Sequence, residues 1–197
     1  MSSRSPYRAL GLAAFSVAVV TIAGCGNPVT DDKIAALGPE AAGVEKSEYH
    51  RPGQPCILCH GPYGGAKPEM SVAGTVFGIP ARKNKPSVGV EDVVVTITDS
   101  FGDVKTKKTN CVGNFFITAD EWQPGFPLAA KIEYPTPGGG KSTTAAYMST
   151  RIGRDGSCAG CHEGPRSTES PGGVYCVDAP LSPFPPPGND CPGVVPQ

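Results

Sequence analysis

The stretch GVEDVVVTITDSFGD, residues 89–103, decides the fold. Val93, Val95 and Ile97 fall on one side of an extended chain and Val94, Thr96 and Thr98 on the other, the period of two expected of a half-buried strand. Every residue from 93 to 98 is β-branched, and such side chains suit a pleated backbone better than a helix. Asp99, Ser100, Gly102 and Asp103 then supply turn chemistry around Phe101. The same punctuation recurs on either side. Residues 72–77, 104–109, 114–118, 128–134 and 143–148 are further short strands between turn residues. In residues 128–134, Leu128, Ala130, Ile132 and Tyr134 alternate with Ala129, Lys131 and Glu133. No amphipathic helix of about a dozen residues competes with them. The expectation is a mainly β protein, a small antiparallel β-sandwich over residues 71–148 with irregular segments before and after it.

Composition limits what surrounds this block. The 197 residues carry 17 Lys and Arg against 18 Asp and Glu, so no basic stripe points to nucleic acid. Gly (26) and Pro (22) make up about a quarter of the chain, close to the range where hydrophobic burial alone stops ordering it. Something besides a large core has to order the flanks. Eight Cys are too many for an ordinary cytosolic enzyme and too few for a disulfide-knotted scaffold.

Residues 1–25 have the layout of an export signal: Arg4 and Arg8, an apolar run over residues 9–23, then small residues before Cys25. The run is shorter than the roughly 20 residues of a spanning helix. Ile22-Ala23-Gly24-Cys25 resembles a bacterial lipobox, which implies removal of residues 1–24 and lipidation of Cys25, with acyl chains as the membrane anchor. Ordinary signal cleavage is the alternative. Gly26 and Asn27, with no Asp after the cysteine, favour the outer membrane by resemblance to lipoprotein sorting rules. Residues 25–49 read as a tether, with a short helical possibility at residues 31–37.

The chemistry sits in the flanks, residues 50–70 and 149–197. Cys56-Ile57-Leu58-Cys59-His60 and Cys158-Ala159-Gly160-Cys161-His162 are two copies of C-x-x-C-H, the attachment motif of c-type haem, and they use two of the three His in the chain. The spacing lets two thiols add to the two vinyl groups on one porphyrin edge, with the adjacent His under the iron. The pattern resembles that of bacterial di-haem c-type cytochromes. Cys56, Cys59, Cys158 and Cys161 would hold two covalent haems c, with His60 and His162 as axial ligands. A thioredoxin-like redox pair, a four-cysteine zinc site and two plain disulfides are the competing readings of the same thiols. Candidates for the sixth iron position are His50, Met70 and Met148.

Between the motifs, Val72-Ala73-Gly74-Thr75-Val76-Phe77, the run from Gly89 to Asp99, Thr109 and Gly113-Asn114-Phe115 resemble the carboxypeptidase-regulatory-like family of transthyretin-like sandwiches. The resemblance spans about 75 residues and implies a scaffold or binding module without catalytic residues. Cys111, in the turn before Gly113, departs from that family's pattern.

Three cysteines remain. Cys176 and Cys191 flank a Pro-rich tail that a disulfide between them would close, worth about 3 kcal/mol through the unfolded chain. Cys111 is then a lone thiol, and its pairing with either tail cysteine is the alternative. Trp122 and Phe126 read as core or loop plugs. Lys105, Lys107 and Lys108 read as a solvated strand face that could also meet an acidic redox partner.

The expected whole is an electron carrier on a bacterial envelope membrane, with redox proteins as partners. One rival is a haem-free binding or structural lipoprotein whose C-x-x-C pairs hold zinc or form disulfides. Another is an enzyme with an open haem.

Overall fold

In the computed structural model, residues 27–80, 87–135, 143–176 and 191 are described. The segment read as an export signal, Cys25 and most of the Pro-rich tail lie outside them. Among the described residues no helix is long and apolar enough to cross a membrane.

The chain runs α1 (Pro28–Ala36), α2 (Cys56–His60), β1 (Met70–Phe77), β2 (Val94–Thr98), β3 (Val104–Lys108), β4 (Asn114–Thr118), β5 (Ala129–Pro135), β6 (Thr143–Tyr147), a 3-10 turn at Cys158–Gly160, and β7 (Val174–Tyr175). Six of these strands coincide, within a residue or two at their ends, with the expected ones. They form a three-stranded sheet, β4-β1-β7, and a four-stranded antiparallel sheet, β3-β2-β5-β6. Both sheets contribute to one core: Val72 and Val76 from β1 and Phe115 and Ile117 from β4 meet Val95 and Ile97 from β2 and Ile132 and Tyr134 from β5. The mainly β, sandwich-like expectation therefore holds.

Alternation explains the four-stranded sheet. In β2 only Val95 and Ile97 are buried, and β3, with Lys105, Lys107 and Lys108, has no buried residue. Lysines on such an edge discourage further strand pairing. Lys107 reaches Glu121 at 2.7 Å and Lys108 reaches Asp92 at 3.0 Å. Trp122 and Phe126 pack against the core. After β2, the Asp99 carboxylate accepts N–H groups from Phe101, Asp103 and Gly125. Burial tends to raise its pKa, but these backbone donors prevail and hold it below the ordinary value.

β1 is different. All residues from Val72 to Val76 are buried, so it is covered on both faces. Part of that cover comes from beyond residue 148. Ser157 bridges Ala73 in parallel, and Val174 and Tyr175 pair in parallel with Val76 and Phe77. A sheet boundary at residue 148 thus leaves out β7, too short to carry a readable alternation of its own.

Two further expectations are corrected. The disulfide is Cys111–Cys191, with Cα atoms 6.0 Å apart, and not Cys176–Cys191. Cys176 is a free thiol. Its N–H donates to Phe77 O at 2.8 Å as the chain leaves β7, and its side chain belongs to the core, while Cys191 returns to the turn before Gly113. The segment read as a tether is folded where it is described. Asn27 caps α1 and Pro28 occupies its first turn, which starts the helix earlier than residue 31. α1 then packs on α2.

Candidate functional site

The first motif is one turn of helix. Cys56, Cys59 and His60 stand at positions i, i+3 and i+4 of α2, which a helix brings to one face. Long-range polar contacts fasten this segment to the sandwich. Thr75 of β1 accepts the Gly53 N–H at 2.7 Å, and its hydroxyl donates to Asn114 Oδ1 of β4, also at 2.7 Å. Asn114 Nδ2 in turn donates to the carbonyls of Glu48 and His50. Thr75 and Asn114 are both buried, so each bond also satisfies a group that would be costly to leave alone. On the outer side, Arg51 pairs with Glu40 at 3.1 Å and donates to Gln54 and to Gly38 O, which ties the α1 segment to the motif.

The second motif sits on β1 directly. Ala73 N–H donates to Gly156 O at 3.0 Å. Gly74 leaves room for Cys158: a Cβ added there would lie 2.7 Å from Cys158 Cβ and 2.9 Å from its Sγ. A glycine within a strand marks such a close approach. The 3-10 turn brings Cys158 and Cys161 to one side, three residues per turn. His162 N–H closes the turn on Cys158 O at 2.8 Å.

Both histidines are held alike. Nδ1 of His60 donates to Pro68 O, and Nδ1 of His162 donates to Gly172 O, each at 2.8 Å. A carbonyl can only accept, so Nδ1 carries the proton in both rings and Nε2 has the lone pair. That is the tautomer of a metal-binding imidazole steadied by its other nitrogen. His60 is buried and His162 half-buried.

The two segments share a cleft of about 620 Å³, lined by Pro55, Ile57 and Leu58 on one side and Ser157, Ala159 and Gly160 on the other, with α1 at its rim. Its size is that of a site for a sizeable organic ligand. Ser157 Oγ, at this cleft, is buried and has no partner among the described residues. All four motif thiols are free. Among the described residues no three His, Cys, Asp or Glu converge as a cage for a bare ion. Burial raises the thiol pKa of Cys56 and of Cys59. It pushes Cys158 up to about 12, with the nearby Cys56 the next contribution. Paired thiols on one side of a turn, with an adjacent imidazole whose Nε2 has no partner among the described residues, occur twice, which is the donor set that a covalent haem requires. The cleft is lined by the neighbouring residues and by none of these six side chains.

Of the three candidate sixth ligands, the structure brings His50 to the first motif, its ring centroid 5.9 Å from that of His60. Met70 opens β1, opposite Thr118. Met148 follows β6 and its N–H donates to Ala130 O, on the sheet that carries neither motif. Sequence reasoning missed Pro68, Gly172, Thr75 and Asn114 as site residues. Only Gly74, a glycine inside a strand pattern, gave a local signal.

The chain matches no protein-family model, and comparison with curated proteins and with solved structures gives no match either.

Proposed function

We propose that this protein is a di-haem c-type cytochrome of a bacterial cell envelope, anchored by lipid at Cys25, that carries electrons between partner proteins. One observation supports the reading above the rest. Two segments of different secondary structure each end in a histidine whose Nδ1 donates to a distant backbone carbonyl. Bound at the two motifs, iron porphyrins would supply reversible one-electron chemistry. The chain's own part is to hold and orient them. Cys56 and Cys59 would hold one porphyrin by thioether bonds along one edge and Cys158 and Cys161 the other, with Nε2 of His60 and of His162 as the nitrogens that would face iron. β1, which carries both segments, sets the distance between them.

Intact mass after expression with a cytochrome c maturation system tests the reading. The expected result is polypeptide plus two haems, resistant to acid-acetone extraction. Cys56→Ala with Cys59→Ala should remove one haem and spare the other, and Cys158→Ala with Cys161→Ala should do the converse. A protein that carries zinc and no covalent haem, or neither, overturns the reading in favour of a haem-free binding module.

A further inference from the structure

We propose that His50 is the second axial ligand of the iron at His60, so that the first haem is clamped between two imidazoles and closed to outside ligands. This rests on the reading that Cys56-x-x-Cys-His60 carries a haem. The ring centroids of His50 and His60 are 5.9 Å apart and their planes are inclined by 31°. Metal–nitrogen bonds of about 2.0 Å on opposite sides of one ion, added to the size of the rings, put coaxial imidazole centroids about 6 Å apart. Each axial ring turns freely about the shared axis, so the inclination is compatible with that arrangement.

The nitrogens agree. Nδ1 of His60 is taken by Pro68 O, and Nδ1 of His50 lies against the backbone of Ser47. In each ring Nε2 is the nitrogen with no hydrogen-bond partner among the described residues.

The loop between them is built to hold this pair. Asn114 Nδ2 donates to His50 O at 3.1 Å and to Glu48 O at 3.2 Å, and Asn110 Nδ2 donates to Glu48 O at 2.9 Å. Arg51, next in sequence, has φ of 50°, a left-handed conformation uncommon for a side chain of its kind, and its guanidinium is fastened to Gln54, Gly38 O and Glu40. Backbone strain beside a ligand, held by a network of this extent, is preorganisation. A histidine in a solvated loop needs none of it.

The test uses the full chain matured with haem, with and without Cys158→Ser and Cys161→Ser, which leave the first haem alone. In this single-haem protein the ferric spectrum should be low-spin, with the near-infrared magnetic circular dichroism of two imidazoles, and the ferrous form should not take up CO. His50→Ala should make the haem high-spin and raise CO uptake from none to one per protein, and added imidazole should restore the low-spin state. His50→Met is the second variant, should the alanine protein fail to mature. It should replace the two-imidazole band by one of imidazole and thioether. Unchanged spectra and CO uptake in His50→Ala, or a two-imidazole band that persists in His50→Met, overturns the proposal while the haem count leaves the cytochrome reading intact. A haem count of zero in the unsubstituted chain removes both.

Discussion

Asn114 links the sandwich to the first motif through one side chain, and the consequences of losing it are calculable. Its amide receives the Thr75 hydroxyl and donates to the carbonyls of Glu48 and His50. Asn114→Ala should strand buried polar groups and cost about 1–3 kcal/mol in urea unfolding. With haem present it should also blur the low-spin signature of the first site. Cys158 makes a second prediction at this scale. Its thiol pKa, ordinarily near 9.0, is pushed up to about 12 by burial. A raised folded-state pKa means stability that is complete below pH 9 and is lost as pH rises towards 12. The haem-free chain should weaken over that window, and Cys158→Ala should flatten the slope. Thioether formation should do the same, because the sulfur then has no proton to lose. Cys176, also raised to about 12 by burial, keeps its share in every case.

Elements differ in how much of them can be read from residue order alone. β2 and β5 follow from local alternation, because each has one face on the core and the other towards solvent. α1 was legible only as a possibility, since its start depends on the cap by Asn27 and not on an apolar stripe. β7 was not legible. Two residues carry no period, and they become a strand only because the edge of β1 at Val76 and Phe77 is there to receive them. The carbonyl partners of the two histidines were hidden for a similar reason: they lie eight and ten residues beyond their imidazoles, and only the path of the chain returns them. Gly74 of β1 is where an element and the site meet. Gly74→Val should drive side-chain atoms into Cys158 and into the ring of Phe115, whose Cε1 lies 3.0 Å from an added Cβ. Overpacking of this kind costs about 1–3 kcal/mol. On the proposed di-haem reading, the haem-to-protein ratio, measured as pyridine haemochrome, should fall from two towards one.

For the whole molecule, sandwich and flanks are one packing unit. The fragment 71–148 lacks β7, the Ser157 bridge to Ala73, the Ile152 bridge to Leu128 and the apolar cover by Cys176. It should show no cooperative thermal transition, whereas 27–197 should. A sharp transition in the short fragment would mean that the flanks only rest on the sandwich. The Cys111–Cys191 bond adds a covalent feature to this unit, spanning a separation of 80 residues. It turns the stretch from 111 to 191 into a closed ring, with the second motif inside it and the first outside. A single protease cut anywhere in the ring opens it without releasing a piece. Such a nicked protein should run intact on a non-reducing gel and split in two when dithiothreitol is added, whereas a cut between the first motif and Cys111 should separate the fragments in either lane.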